Sequence, residues 1–301
     1  MSAAPVVTGT GDAGRPPAGA RGGPRRRAGR RTRPNLVAGL FAVIWLVIVA
    51  VPLYAIVADS LKQQGSYLSH GPLAPPSSAT GGNFSSALSN GFAGYALNTL
   101  IVTALAVLIT LALAIPAAYA IVRSRHRLVS GVFRVFLAGL AIPVQAVIVP
   151  VYFYITRLHF YDSLMGITLP TVAFVLPLAI LVLSANLRNV PREQYEAMTL
   201  DGGGSFRLLW SLALPLSIPG ITTVGIYTAL QAWNGFLFPL ILTQSQSVRV
   251  LTLGLFQYQS QFGINVPGLM AAVLLSALPL FVLYLFARRW LIAGFVGLGG
   301  R

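Results

Sequence analysis

The chain has 301 residues, of which 55% are hydrophobic and 9% are charged, and its formal net charge at pH 7 is +15. This apolar content is too high for a soluble globular domain. A nucleic-acid-binding protein is not favoured, because the basic residues are not interleaved with aromatic residues on an amphipathic surface. The chain contains no cysteine, which excludes disulfides, thiolate metal sites and a cysteine nucleophile. The composition therefore indicates a membrane protein.

Residues 1–35 are rich in alanine, glycine, proline and arginine, with Asp12 as their single acidic residue. Such a segment cannot form a packed core. The arginines could belong to a twin-arginine export signal, but the apolar run that follows, 36–58, is too long for a signal sequence. We predict a disordered, arginine-rich cytoplasmic tail that contacts anionic headgroups, followed by a retained first transmembrane helix over 36–58.

The remaining sequence alternates long apolar runs with short connections. Residues 59–94 are polar and rich in proline and glycine, which predicts an extracellular loop. A core at 95–290 and a cytoplasmic tail at 291–301 follow. Five runs in the core are each long enough to cross a hydrocarbon layer of about 30 Å: 97–122, 132–156, 164–186, 218–243 and 267–287. The sequence thus predicts an all-α polytopic membrane protein with six transmembrane helices, several of them bent at prolines.

The basic residues indicate how these helices are oriented. Of the 21 Lys and Arg residues, 18 lie in the N-terminal tail, in 123–134, in 187–217 and at the C-terminus. The other three are Lys62, Arg157 and Arg249, in the alternate connections. The positive-inside rule therefore places both termini and the segment 187–217 in the cytoplasm. The family resemblance described below implies that the membrane is a bacterial cell membrane.

The segment 187–217 is a polar island between two apolar runs. After Pro191, good helix formers continue to Leu200, and the glycines at 202–204 end this helix. Ser205 is a candidate N-cap for a second short helix, and Pro215 marks the turn into the next span. We predict a cytoplasmic helix, a glycine turn and a second helix.

One stripe of this first helix contains Tyr195, Met198 and Gly202, spaced at i, i+3 and i+7. We predict that this shape fits a groove on a partner protein. A simpler alternative is a solvated surface helix on which Glu196 pairs with Arg192 at i, i+4.

The motif in this segment resembles the EAA loop of permease subunits of ATP-binding-cassette importers. It reads Glu196-Ala197-Met198, three residues, Gly202, nine residues and then Leu212-x-Leu214-Pro215. The family's third alanine is Met198 here, its isoleucine is Leu212, and the alanine that commonly follows Asp-Gly is Gly203. Each of these three differences changes the size of a side chain on a surface that packs against other residues.

Shorter phrases along 95–301 resemble the second permease subunit of carbohydrate importers of the maltose and oligosaccharide type. They include Asn98-Thr99-Leu100, Tyr161-Asp162-Ser163 with Gly166, and Trp233-Asn234-Gly235-Phe236-Leu237. The chain ends in Gly300-Arg301 where the family has Lys-Gly. The resemblance covers about two thirds of the chain.

This resemblance implies a type I importer permease fold with a cytoplasmic coupling helix. It also implies three kinds of partner besides membrane lipid: a homologous permease, two ATP-binding-cassette ATPase subunits and an external solute-binding protein. In the family the EAA loop docks in a groove of the ATPase. The residues that would take this coupling role are Glu196, Ala197, Asp201, Gly202, Leu214 and Pro215.

Catalytic and metal-binding patterns are absent from the sequence. The single lysine, Lys62, is not part of a phosphate-binding loop. ATP and Mg²⁺ should therefore bind to the partner ATPase subunits. We expect no cofactor on this chain and no enzyme activity. His70, His126 and His159 lie in separate loops without metal-ligand spacing. The spans contain no acidic or basic residue between their ends, which argues against an ion-coupled carrier and favours a neutral or shielded cargo.

The fifth span contains the candidate solute path. Tyr227, Gln231 and Asn234 lie on one stripe at i, i+4 and i+7, and Gln145 in the third span is a further candidate. Amides and aromatic rings suit a neutral, hydroxyl-rich solute such as a sugar or oligosaccharide. Alternatively, Gln231 and Asn234 bond neighbouring helices, and the partner permease holds most of the sugar. Three other interpretations stay open: a permease for a solute such as glycerol phosphate, a channel or ion-coupled carrier, and a structural scaffold.

Overall fold

The computed structural model describes residues 36–124, 126–260 and 263–299, without the side chains of residues 260 and 286–299. The predicted tail at 1–35 lies outside these residues. The chain divides into two compact units, Met1–Ile48 and Val49–Arg301. The described part of the first unit is the beginning of helix α1, which runs from Leu36 to Ser60. Apolar side chains cover all sides of α1, as in a helix that crosses a membrane.

The second unit is helical apart from one small hairpin. After α1 its helices are α2 (Gln64–His70), α3 (Gly82–Ala87), α4 (Ala93–Arg123), α5 (Arg127–Gly139), α6 (Ile148–Arg157), α7 (Leu164–Arg188), α8 (Arg192–Leu200), α9 (Ser205–Leu208), α10 (Leu214–Leu216), α11 (Ile218–Trp233), α12 (Leu237–Leu242), α13 (Leu251–Gly254) and α14 (Val266–Gly299). Two π-helical turns, Leu88–Phe92 and Leu209–Ala213, join α3 to α4 and α9 to α10. Three 3-10 turns are Val144–Val147, Gln246–Val248 and Leu255–Tyr258. Strands β1 (Gln259–Ser260) and β2 (Gly263–Ile264) pair antiparallel.

Among the described residues, four helices are long and apolar enough to cross a membrane: Leu36–Ser60, Gly82–Arg123, Leu164–Arg188 and Val266–Leu285. Two bent pairs, Arg127–Gly139 with Val144–Arg157 and Ser205–Leu216 with Ile218–Trp233, make six if each pair is one crossing. This architecture confirms the predicted all-α polytopic fold with six spans.

The third and fifth spans are not the continuous helices that their apolar runs suggest. The third bends by 99° between Gly139 and Val144. Pro143 lies in this break, where it lacks an N–H and disfavours helical geometry in the residue before it. The fifth run is helical only to Trp233, and α12 resumes at Leu237 after a non-helical stretch that contains Gly235.

The predicted outer loop, 59–94, is largely helical, and the second membrane helix begins inside it at Gly82. Lys62 organises this segment. Its ammonium group donates to Asp59 Oδ1 at 2.7 Å and to the carbonyls of Gly71 and Pro72 at 3.0 and 3.2 Å. The Asn83 amide donates to the carbonyls of Ser60 and Lys62 at 2.8 and 2.7 Å. The predicted C-terminal tail begins at residue 291, but in the structure helix α14 continues through this segment to Gly299.

The core forms where α4, α7 and α11 pack against one another. Small residues make this close approach possible: Ala114, Ala118 and Ala179 are fully buried at the contact. Several threonine hydroxyls inside these helices donate to the carbonyl four residues earlier, as Thr228 does to Val224 at 2.8 Å, whereas the buried hydroxyls of Thr103 and Thr110 in α4 have no partner among the described residues. The three helices thus give a rigid frame to the segments at their ends.

Candidate functional site

The segment 187–217 folds as a helix, a glycine turn and a second helix, as predicted. At the end of α8, Gly202 has a φ of +77°, a region that favours glycine. The Gly202 N–H donates to the Thr199 carbonyl at 3.0 Å and the Gly203 N–H to the Met198 carbonyl at 2.9 Å. These two bonds are the Schellman arrangement, which satisfies the last carbonyls of the helix. A Cβ on Gly203 would lie 2.6 Å from the Met198 carbonyl oxygen, so this turn excludes the family's alanine.

Two members of the predicted docking stripe face the interior of this chain, and that part of the prediction is wrong. Tyr195 is 2% exposed and packs in the same cluster as Leu208, with Met198 against it. The Arg123 guanidinium carbon lies 4.6 Å from the centre of the Tyr195 ring. The apolar side of α8 is buried on the ends of α4 and α7, and the polar side is free for a partner. Gly202 is the exposed member of the stripe.

The outward face of the segment combines charge with large apolar side chains. Glu196 and Asp201 are exposed, and Leu200, Phe206 and Trp210 are 89%, 75% and 55% exposed. Among the described residues, the one ion pair joins Lys62 to Asp59, so Glu196 does not pair with Arg192. Exposed apolar side chains rimmed by charge are typical of a protein interaction site. We call the exposed residues of 193–210 the coupling surface.

The remaining coupling candidates lie on or beside this surface. Ala197 is exposed on α8, while Leu214 is half-buried and Pro215 exposed on α10. Two details differ from prediction. Gly204, not Ser205, is the N-cap of α9, and the Ser205 side chain makes no capping bond. The chain bends by 75° at Ser217, after α10, and α11 begins there with Pro219 in its first turn, where proline needs no N–H donor.

Two of the solute-path candidates line one cavity of about 410 Å³. Tyr227 and Gln231 face it from α11, opposite Thr171 and Phe174 of α7. The bend of the third span and the break between α11 and α12 form the rest of its wall. None of the described residues that line this cavity is charged. Its lining is apolar with a few hydroxyl and amide groups, a composition typical of small-molecule sites.

The other two candidates lie elsewhere. Gln145 is exposed on the 3-10 turn of the third span, outside the cavity lining. Asn234 is also outside it, and its amide donates to the Leu230 carbonyl at 2.9 Å. Beside it, buried Trp233 donates from Nε1 to the Ser276 carbonyl at 3.1 Å and so fastens α11 to α14. Asn234 therefore bonds its own helix and not a neighbouring one, and the bond between helices at this end of the stripe is made by Trp233.

Asp162, in the phrase Tyr161-Asp162-Ser163, has a structural role that the sequence does not reveal. Its carboxylate accepts hydrogen bonds from the Gln244 and Ser245 N–H groups at 2.8 and 2.9 Å and from the Ser245 hydroxyl. The Ser245 hydroxyl, together with the two N–H groups, lowers the pKa of Asp162. Asp162 has a φ of +55°, which aspartate tolerates better than most residues. This residue ties the α6–α7 connection to the segment after α12.

The neighbouring residues explain the rest of the phrase that begins at Tyr161. The Ser163 hydroxyl accepts the Gly166 N–H at 3.1 Å and so caps α7. A Cβ on Gly166 would lie 2.2 Å from the Phe160 carbonyl oxygen, so only glycine fits.

A second, larger pocket of about 840 Å³ lies beside the β1–β2 hairpin. Amide side chains dominate its lining, among them Asn90, Gln246, Gln257 and Asn265. The Tyr95 hydroxyl donates to Gln246 Oε1 at 3.0 Å and holds that amide in place. The residues are spread over segments far apart in the chain, so no local sequence signal reveals the pocket.

The fold and these sites define a class: a multi-pass membrane protein with an uncharged cavity between helices and an exposed, partly apolar surface at the helix ends. Comparison with known proteins gives the same class. Residues 110–296 match the family model described as "Binding-protein-dependent transport system inner membrane component".

Two relatives and one solved structure extend the comparison. A putative ABC transporter permease, ORF2 of Caldicellulosiruptor, is 35% identical over 85% of this chain and 93% of its own. The diacetylchitobiose uptake system permease NgcG of Streptomyces coelicolor is 33% identical, with 85% of each chain covered. A crystal structure of a bacterial ABC transporter that imports alginate matches with a TM-score of 0.74 at 17% identity, over 84% of this chain and 95% of that one. The chain therefore belongs to the family of inner-membrane permease components of binding-protein-dependent ABC importers.

Proposed function

We propose that this subunit forms, with a homologous permease, the path for a sugar or oligosaccharide that an external binding protein delivers. The cavity lined by Tyr227 and Gln231 is the observation on which the proposal rests. An amide donates and accepts hydrogen bonds, and an aromatic ring packs on the apolar face of a pyranose. A relative that is 33% identical is named for diacetylchitobiose uptake, which supports the same solute class.

The chemistry of this cavity disfavours the alternatives. A phosphate ester such as glycerol phosphate needs a cationic partner, and no described residue of the cavity lining is basic. An ion-coupled carrier needs an ionisable group at membrane depth, and no acidic residue lines the cavity either. A neutral solute meets neither objection.

The coupling surface is proposed to dock on an ATPase subunit in the cytoplasm. Its support is the exposed apolar cluster beside Glu196 and Asp201, together with the excess of basic residues at this side of the spans. ATP and Mg²⁺ then bind to the partner subunits. Lys62 is unsuited to a phosphate site because its ammonium group is buried and already donates to three oxygens.

The proposal is tested by uptake measurements on the complete importer with its binding protein. We expect Gln231→Leu to lower uptake of the cognate sugar by about tenfold, the loss of one to two hydrogen bonds to the solute. Assembly and the affinity of the binding protein should not change. ATP-driven uptake of a metal ion, or of an anion that is not a carbohydrate, by the native complex would overturn the sugar assignment.

Asn234→Leu is the matched control, because Asn234 is on the same helix face but bonds its own backbone outside the cavity. We expect it to reduce uptake much less than Gln231→Leu. Equal losses of assembly in both variants would show that the two amides bond helices and do not line a path.

A further inference from the structure

A small cavity of about 220 Å³ lies where α8 meets the ends of α4 and α7, apart from the solute cavity and the coupling surface. Its lining is strongly basic: Arg123, Arg188 and Arg192 all contribute, and Tyr195 lies between them. The remaining lining residues are apolar. The space is several times the roughly 30 Å³ that one water molecule occupies.

The three guanidinium groups have no acidic partner. Within the part of the chain that the structure describes, no carboxylate lies within 4.0 Å of any of them, since the one ion pair there is that of Lys62 with Asp59. Neither Glu193 nor Glu196 lines the cavity, although both are on α8. Three like charges around one space repel one another, and a bound anion relieves that repulsion.

Tyr195 also lines this cavity, and its buried hydroxyl lacks a partner. Tyr195 is 2% exposed, and its hydroxyl makes no hydrogen bond with any described residue. Buried polar groups nearly always have a hydrogen-bond partner, so an orphan among cations suggests an absent ligand. Burial, with a smaller contribution from Tyr119, raises the pKa of Tyr195 against the opposing effect of Arg123. The hydroxyl therefore stays protonated and can donate.

The beginning of α8 adds to the positive potential. This helix of nine residues starts at Arg192, and the preceding Pro191 supplies no side-chain cap. Because Arg192 lines the cavity, the positive end of the helix dipole is near it, although Glu193 in the first turn offsets part of this potential.

We propose that this cavity binds a phosphate-type anion, with the three guanidinium groups and the Tyr195 hydroxyl as donors, and that the anion is the headgroup phosphate of an acidic lipid. Arginine recognises phosphate through paired, charge-assisted hydrogen bonds. Arg123 and Arg188 are the last residues of two membrane helices, which places the cavity at headgroup depth. Basic pockets at the ends of transmembrane helices suit lipid headgroups.

The bound phosphate would join three elements. Arg123 and Arg188 belong to the ends of α4 and α7, whereas Arg192 and Tyr195 are part of α8. One headgroup therefore holds α8, the base of the coupling surface, against the transmembrane frame. The site requires only a membrane and does not depend on which solute the importer carries.

The test is lipid retention by the assembled importer in nanodiscs of phosphatidylcholine with and without phosphatidylglycerol, measured by native mass spectrometry. We expect the wild type to retain phosphatidylglycerol, and Arg188→Gln or Arg192→Gln to bind it about tenfold more weakly, the loss of one charge-assisted bond. Both side chains are exposed and outside the buried core, so these variants should fold. Arg134→Gln, which removes an exposed charge outside the cavity, is the matched control and should retain lipid normally.

A second experiment distinguishes a lipid headgroup from free inorganic phosphate as the bound anion. Inorganic phosphate is titrated into the importer in pure phosphatidylcholine nanodiscs while thermal unfolding is followed. Suppose that phosphate stabilises the wild type but not Arg188→Gln, and that neither retains phosphatidylglycerol. This result would overturn the lipid assignment and identify a site for a free anion. Loss of lipid in Arg134→Gln equal to that in the cavity variants, or no response to either probe, would overturn the site itself. Neither readout involves transport, so failure here leaves the proposed function untouched.

Discussion

At the scale of single residues, Gly202 is the residue of the coupling surface that has a positive φ. Its φ is +77°, and a Cβ would meet no atom within 4 Å, so a side chain here is opposed by backbone strain and not by a clash. A side chain in this conformation costs about 1–2 kcal/mol, and more for a β-branched residue. An exposed charge such as Glu196 contributes less than about 1 kcal/mol.

We therefore expect Gly202→Val to impair assembly with the ATPase and ATP-dependent uptake more than Glu196→Ala does. Co-purification of the ATPase and uptake in vesicles measure the two effects. Gly204→Val is the control, since Gly204 has an ordinary φ of −75° and open space around it. If Gly202→Val assembled and transported normally, the glycine turn would not be needed for coupling to the ATPase.

Asp162 gives a pH-dependent prediction. Its pKa is lowered in the folded protein by the Ser245 hydroxyl and the Gln244 and Ser245 N–H groups, so the stabilisation is complete above the ordinary aspartate value of 3.8. It is lost as the pH falls through the lowered, folded-state pKa. We expect Asp162→Asn to lower the Tm of the importer at pH 7, and this difference from the wild type to shrink as the pH falls below about 4.

The matched variant is Ser245→Ala, which removes the hydroxyl donor to Asp162 and keeps the carboxylate. Its Tm at pH 7 should fall less than that of Asp162→Asn, because the two N–H donors remain. A Tm difference for Asp162→Asn that stayed constant down to pH 3 would mean that geometry, and not charge, holds the loop.

At the scale of elements, the segment between α1 and α4 depends on one buried ion pair. Lys62 and Asp59 have side chains that are 1% and 5% exposed, and their charged atoms are 2.7 Å apart. Removal of one partner leaves an uncompensated buried charge, which typically costs about 3–5 kcal/mol.

We expect Lys62→Met to lower the thermal stability of the importer strongly, and the double variant Asp59→Leu with Lys62→Met to recover much of that loss. Thermal unfolding of the four members of this double-mutant cycle gives the coupling between the two residues. Additive losses would show that the two charges act independently, and that the carbonyls of Gly71 and Pro72 alone hold Lys62.

At the scale of the whole molecule, the orientation in the membrane stays a prediction. The basic residues predict that Ser205 faces the cytoplasm and Ser77 the outside, and both positions are exposed. Since the chain has no cysteine, Ser77→Cys and Ser205→Cys give clean labelling sites. An impermeant thiol reagent added to intact cells should label the first and spare the second. The reverse pattern would invert the topology.

Several features follow from the sequence alone because their causes are local. Run length and composition predict the spans, since crossing the hydrocarbon layer requires about 20 apolar residues. A glycine run after good helix formers predicts the end of α8, since only glycine adopts the positive φ of Gly202 without strain. Pro143 marks a bend in the third span, although the angle of 99° depends on what packs around it.

Other features are decided only by the tertiary structure, because they join residues that the chain keeps far apart. Asp162 meets Ser245 across 83 positions, and Arg123 meets Tyr195 through the contact of α8 with the end of α4. Helical periodicity places Gln231 and Asn234 on one stripe, but the break before α12 puts only Gln231 against the cavity. Periodicity describes one helix at a time, whereas the face that a helix buries is fixed by its neighbours.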